Sequence, residues 1–284
     1  MKILILDIYQ NDSWRLVKDT AGGYGTGNDF GKGYMSFFFN KFVSKMIAMP
    51  PMHAMYTFSV LRKKGVSVEY TRNLNIEEIK LYDFIILISS IICHETEIDA
   101  LKKITTLTDK KVFITGIFGN TMKEKYSIKN SYVVPGEPEF FFNALEPNIN
   151  LYNEFFTDPN KINEYTIESD VTKLPYPDWG YYAKKYPLKN NFLGFNSKTA
   201  IPILATRGCP YSCFNYCTYP LQQGRKVRSR NEDEIIDEIV HWKELLKTNK
   251  FIFRDPVFSI NRKFTEKFCK RLIERKVKII FLIE

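Results

Sequence analysis

The sequence predicts an α/β protein in two parts. A doubly wound parallel sheet occupies the N-terminal half, and β-α units repeated as in a (β/α) barrel follow residue 199. Three observations carry this reading. Short, almost wholly apolar runs such as FIILIS (84–89) alternate with amphipathic stretches, the pattern of parallel strands covered on both faces. From Ala200 the order strand, loop, helix repeats, as it does in a barrel. Between the two lies 147–198, rich in Tyr, Asn, Asp and Pro and without periodicity.

Lys2 to Ile8 reads as a buried strand of branched residues. The next firm element opens only at Pro50, and the intervening segment holds AGGYGTGNDFGKG (21–33). Glycines let backbone approach a ligand closely, but this spacing is not the dinucleotide fingerprint. A flexible loop and a ligand-facing loop both remain open. A helix follows from Met52 to Gly65, with Met52, Met55, Val60 and Leu61 as its core face. Strands are expected at 66–71, 84–89, 111–116 and 132–136. Helices are expected at 75–80 and 95–106, and from Glu137. Ligands of such sheets sit at the carboxyl ends of the strands. The small residues Gly25, Gly27, Ser89, Ser90, Gly116 and Gly136 fall there and leave room for a large flat group.

In the second part the first strand spans Ala200 to Thr206. Asn231 with Glu234 forms a capping box for a helix to about Lys247, whose Ile235, Ile236, Ile239, Trp242 and Leu245 or Leu246 point inward. FIFRD (251–255) is the second strand, Asn261 caps a helix to about Lys276, and VKIIFLIE (277–284) is the third strand. Barrel chemistry sits on the loops that follow strands. One of these loops carries Cys209, Cys213 and Cys217 within nine residues, and Gly208 and Pro210 argue against a helix there. Thiolates this close in a loop can converge on one metal centre, and soft sulfur favours zinc or an iron–sulfur cluster. A structural zinc wants four protein ligands, and no fourth follows at finger-like spacing. A cluster held by three thiolates leaves one iron open to a small molecule. The competing reading, small buried hydrophobes on a helix, runs against the loop punctuation.

At 284 residues and 44% hydrophobic content the chain has material for about two cored domains. The net charge of +9 is scattered in short groups such as Arg62 to Lys64 and RKVRSR (225–230), which reads as solvated surface and argues against a nucleic-acid partner. Three clustered and two isolated cysteines are not a disulfide framework, so a reduced, cytoplasmic setting is expected. MKILILDI is broken by Asp7 and too short for a signal peptide, and no apolar run reaches the length of a membrane span.

The stretch RGCPYSC…NYCTYPLQQGRKVRSR, followed by a charged helix and FIFRDPVFS, resembles the radical S-adenosylmethionine (SAM) superfamily. More narrowly, with VVPGEPE (133–139) and LPYPDW (174–179), it resembles the branch with an N-terminal cobalamin-binding domain. The family spaces its cysteines C-x3-C-x2-C with an aromatic before the third. This chain reads C-x3-C-x3-C, and removing Phe214 would restore the family spacing. The resemblance implies a cobalamin-binding-like Rossmann-type domain over 1–146, a linker over 147–198 and the N-terminal portion of the radical SAM barrel over 199–284. It implies a [4Fe–4S] cluster on Cys209, Cys213 and Cys217. It also implies SAM against Tyr216 and Asp255, with a weaker transfer to Glu284, and cobalamin near Gly25, Gly27, Ser89, Ser90, Gly116 and Gly136.

The implied reaction is reductive cleavage of SAM, with methyl transfer or rearrangement on a small-molecule substrate and an external electron donor. The D-x-H-x-x-G cobalt-ligand loop of one class of cobalamin proteins is absent. His53 and His94 are expected at the surface or as caps, and His241 at the surface. Three β/α units are fewer than the family uses, so a truncated barrel is expected. Two alternatives follow. One is an inactive, truncated homologue that only binds cobalamin. The other is a tRNA-modifying radical SAM protein, which would need three further N-terminal cysteines where only Cys93 is available.

Overall fold

The structure, a computed structural model, describes residues 1–10, 15–18, 26–28, 33–36, 50–145, 170–186, 188–192, 195–198, 200–213 and 217–283. Strand β1 (Lys2–Leu6) is followed by a short antiparallel pair, β2 (Arg15–Val17) and β3 (Thr26–Asn28). Then come α1 (Met52–Lys63), β4 (Ser67–Thr71), α2 (Ile76–Ile79), β5 (Phe84–Ile88), α3 (His94–Leu107) and β6 (Lys111–Thr115). Helix α4 (Ile117–Thr121), β7 (Ser131–Val133) and α5 (Pro138–Ala144) complete this part.

Five of these strands form a parallel sheet in the order β4-β1-β5-β6-β7. Alternation along β1 divides its side chains between two cores. Ile3 and Ile5 pack with α1 and α5, and Leu4 and Leu6 with the α2 and α3 side. The expected doubly wound sheet is therefore present. Strand β7 stops at Val133, two residues before Pro135, which has no N–H to give a ladder.

The linker expected over 147–198 lies partly outside the described residues. Its described portion holds α6 (Trp179–Lys185), a helix the aperiodic LPYPDWGYY did not announce, capped by Asp178 accepting from the Tyr181 N–H at 2.8 Å. Trp179 is fully buried, Tyr181 stacks on Phe58 at 4.2 Å between ring centroids, and the Tyr176 hydroxyl donates to the Glu234 carbonyl at 3.3 Å. A second antiparallel pair follows, β8 (Lys189–Phe192) with β9 (Phe195–Lys198).

The second part comprises β10 (Ile201–Ile203), β11 (Thr206–Arg207), α7 (Tyr219–Gln223), β12 (Arg228–Ser229), α8 (Glu232–Leu246), β13 (Lys250–Phe253), α9 (Arg262–Glu274) and β14 (Ile280–Ile283). Strands β10, β13 and β14 are parallel neighbours in that order. The single strand expected over 200–206 divides, because β11 leaves β10 and pairs antiparallel with β12. Asn231 caps α8 through the Asp233 N–H at 2.9 Å, one residue short of the expected capping-box donor. Asn261 caps α9 through the Phe264 N–H at 3.2 Å, as expected. One apolar core runs from Ile3 and Ile5 through α1, α5 and Trp179 to β10, α8, β13 and α9. Among the described residues no helix is long and apolar enough to cross a membrane.

Candidate cofactor sites and the junction between them

The carboxyl edge of the first sheet carries most of the small residues singled out by sequence. Gly25 lies outside the described residues, and Gly27 pairs with Leu16 in the β2–β3 ribbon. The Ser89 hydroxyl donates to the Thr115 carbonyl at 2.8 Å and accepts the Gly119 N–H at 2.9 Å. The Ser90 hydroxyl and N–H donate to Glu97 at 2.8 and 3.0 Å. Both serines thus turn their polar groups into the protein. Gly116 has φ +106°, and a Cβ there would stand 2.8 Å from the Ser89 carbonyl oxygen, so the two residues close on each other. Gly136, at φ +66°, donates its N–H to Asn120 Oδ1 at 3.3 Å.

Beneath this edge lies a buried ionic group. Lys18 Nζ sits 2.8 Å from Glu97 and 3.2 Å from Asp7, and donates to the Ile88 carbonyl at 3.2 Å. The hydroxyls of Tyr126 and Tyr70 donate to Glu97 and Asp7, each at 2.7 Å. A cavity of about 20 Å³, lined by Lys18, His53, Ser89, Gly116 and Gln222 among others, has room for one water. A corrin ring does not fit inside it.

The three candidate cluster ligands lie on one loop. β11 delivers the chain to Gly208, whose φ of +89° only glycine adopts freely. A Cβ there would overlap the Lys226 carbonyl oxygen, so no other residue lets these two backbones approach. The Gly208 N–H donates to Gln223 Oε1 at 3.0 Å and the Cys209 N–H to the Gly224 carbonyl at 3.1 Å. Arg225 donates to the Tyr211 carbonyl at 3.2 Å and to Ser212 Oγ at 3.0 Å. Cys209 is buried, Cys213 and Cys217 are half-buried, and all three are free thiols. Tyr216 and Phe214 lie outside the described residues, as does Glu284. Among the described residues no three His, Cys, Asp or Glu side chains are gathered at metal-holding distance. The donor chemistry still fits an iron–sulfur cluster, which is held by thiolates. Binding energy from the metal would have to draw the thiols together.

Asp255 follows β13 and is buried. Its carboxylate accepts the Ala205 N–H at 3.1 Å, the Thr206 N–H, and the Thr206 hydroxyl at 2.7 Å. Burial pushes its pKa up to about 6, against the opposing pull of those Thr206 and Ala205 hydrogen bonds and of Arg230. Asp255 therefore grips the backbone that leads into the cysteine loop.

A second buried, charged group lies between the two sites, and local sequence did not reveal it. Arg207, one residue before Gly208, reaches back to the GEPE segment of the first part. Its Nη1 lies 2.6 Å from Glu137 Oε1 and also bonds Glu139 Oε1. Arg228 pairs with the second oxygen of Glu137 at 2.9 Å. The Arg207 guanidinium lies over the rings of Tyr56 and Phe140 at 5.2 and 5.0 Å. Burial opposes ionisation of Glu139, but Arg207 and then His53 prevail and hold its carboxyl below the usual carboxylate range.

His53, expected at the surface or as a cap, is instead buried. Its Nδ1 lies 3.2 Å from Glu139 and its Nε2 2.9 Å from Gln222 Nε2. Both ring nitrogens therefore face a partner. The reason for the burial is α1 itself, in which every residue from Met52 to Leu61 is buried. His94 opens α3 with Nδ1 2.7 Å from the Ile91 carbonyl, and His241 is exposed, as expected.

Comparison with known proteins gives no matching family model. The chain is 28% identical over 177 residues to a bacteriochlorophyllide d C-12(1)-methyltransferase of Chlorobaculum tepidum, covering 60% of the chain and 34% of that protein. It is 31% identical over 105 residues to an anaerobic magnesium-protoporphyrin IX monomethyl ester cyclase of Rubrivivax gelatinosus, covering 37% and 18%. Two solved structures of the radical SAM methyltransferase TsrM from Kitasatospora setae match over 97% of the chain at 13% identity, with TM-scores of 0.55 and 0.54. One holds tryptophan and a SAM analogue, the other cobalamin and a [4Fe–4S] cluster. At that identity the likeness is one of fold. The chain spans about a third and about a fifth of the two curated relatives, and about half of TsrM.

Proposed function

We propose that this chain, which resembles cobalamin-binding radical SAM proteins in sequence and in fold, carries the cofactor sites of a radical SAM methyltransferase acting on a small molecule. Cys209, Cys213 and Cys217 hold a [4Fe–4S] cluster, SAM binds beside it, an external donor supplies electrons, and cobalamin lies across the first sheet's carboxyl edge near Gly116 and Gly136. The cofactors supply hydrogen-atom abstraction and methyl carriage, which side chains cannot perform. Residues 1–146, 147–198 and 199–284 correspond to the cobalamin domain, the linker and the opening of the barrel.

The observation that carries the proposal is three free thiols on a loop that follows a strand, tied by its own neighbour Arg207 to the edge of the parallel sheet. Gly208 lets the loop pass close to residue 226, the Gly224 carbonyl fixes the Cys209 backbone, and Asp255 anchors the approach. The relatives' names cite a bacteriochlorophyllide and a magnesium-protoporphyrin ester, and a TsrM structure holds tryptophan, so the proposal names no substrate beyond a small molecule. A second reading, cobalamin binding without radical turnover, draws on the extra residue Phe214 between the second and third cysteines.

The test is anaerobic incubation of the reconstituted chain with SAM and a strong reductant. Release of 5′-deoxyadenosine or S-adenosylhomocysteine, lost in Cys209→Ser, is expected. An iron-loaded protein that leaves SAM intact would contradict the turnover and favour the second reading.

A further inference from the structure

We infer that Arg207, Gln222 and Gln223 are positioning residues that hold the cysteine loop in register with the carboxyl edge of the first sheet. The inference rests on the reading that the loop carries a cluster. Its geometric content is independent of that reading.

Two contacts converge on the loop's base from opposite directions. The strand entering the loop is held by Arg207, bonded to Glu137 and Glu139 at the start of α5. The helix leaving the loop, α7, ends in consecutive glutamines with divided duties. Gln222 meets His53 of α1 at 2.9 Å and lines the water-sized cavity under the sheet edge, while Gln223 accepts the Gly208 N–H at 3.0 Å. Glu139 closes the circuit, touching both Arg207 and His53. The contacts His53–Glu139, Glu139–Arg207, Gly208–Gln223 and Gln222–His53, joined by the chain itself at 207–208 and 222–223, thus close a ring.

The ring is buried, so its charges depend on one another. Removing one partner from a buried charged set leaves the others uncompensated. Glu139 Oε2, Arg207 Nη2 and Gln222 Oε1 have no hydrogen-bond partner among the described residues, which leaves places for bound water in the same ring. A device meant only for stability would be better served by apolar packing of similar volume. A charged ring fixes one register, which is what two cofactor sites in sequence-distant segments require.

The cysteines supply their own reporters. Cys209 is 4% exposed and belongs to the loop, Cys93 is 1% exposed and sits at the start of α3, and Cys269 is exposed. Maleimide labelling of the metal-free full chain, read by mass spectrometry on each peptide, follows all three. In the parent protein Cys269 reacts at once, and Cys209 and Cys93 slowly. In Glu139→Gln, and separately in Gln223→Leu, we expect Cys209 to react about tenfold faster while Cys93 keeps its protection. Arg207→Met, which removes the charge and the Nη1 contacts to Glu137 and Glu139, should show the same pattern.

An unchanged Cys209 rate overturns the inference. So does a joint rise of Cys209 and Cys93, which would mean loss of the fold and a merely structural role. A parent protein that takes up no iron would sink the proposed function and leave this labelling result standing.

Discussion

Gly208 offers a severe test of the loop geometry. Replacing it with alanine imposes two penalties. At φ +89° an L side chain costs about 1–2 kcal/mol in backbone conformation. The new Cβ would also overlap the Lys226 carbonyl oxygen, a backbone atom that cannot swing away as a flexible side chain does. Residue 208 or residue 226 must shift, and the hydrogen bonds from Gly208 to Gln223 and from Cys209 to Gly224 cannot both survive. Losing one or both at about 1 kcal/mol each brings the expected destabilisation to roughly 2–4 kcal/mol. Urea denaturation measures it directly, and iron stoichiometry after anaerobic reconstitution should fall with it, since thiolate geometry is set by that backbone. Gly208→Ala with a loss under about 1 kcal/mol and full iron content would refute the reasoning.

Three further outcomes follow from other parts of the molecule. Asp255 ionises near 3.8 when unfolded and near 6 when folded, so the folded state keeps its proton longer. The stability this confers is complete below about pH 4 and is lost as pH rises through 6, about 3 kcal/mol in all. Asp255→Asn should flatten that fall in urea titrations between pH 4 and 7, and parallel curves for both proteins would show that Asp255 is not the source. Asn261→Ala removes the cap at the Phe264 N–H and should cost about 1 kcal/mol, with secondary structure by circular dichroism otherwise kept. Cys213→Ser, at a half-buried loop position, should abolish iron uptake yet leave hydroxocobalamin binding by absorbance intact. Loss of both would mean that the two sites are not separable.

The first sheet was legible because β1, β5 and β6 are nearly continuous apolar runs, and Ile3/Ile5 against Leu4/Leu6 divide between two cores as period-two alternation requires. The cap at Asn261 was legible because capping is local chemistry. Helix α6 was hidden because aromatic and proline residues mask its short turn, and its stability comes from Trp179 and Tyr181 packing on distant surfaces. Strands β11 and β12 are two residues each, too short for any period.

At the sites, the cysteine loop announced itself by spacing, whereas its supports did not. Arg207 and Glu137 are 70 residues apart, and His53 and Gln222 are 169 apart, so no window contains either pair. The acidic pair in GEPE and the arginine before Gly208 were visible as residues without visible partners. Ser89 and Ser90 were singled out as small residues at a strand end, but that their hydroxyls go to the Thr115 carbonyl and to Glu97 is tertiary and was not legible.

Electron paramagnetic resonance of the anaerobically reconstituted, reduced chain, recorded with and without SAM beside a variant lacking Phe214, tests the central claim most directly. One cluster per chain whose signal shifts on adding SAM is the expected result for the unaltered protein. A chain that binds hydroxocobalamin but takes up iron only after Phe214 is removed would contradict it.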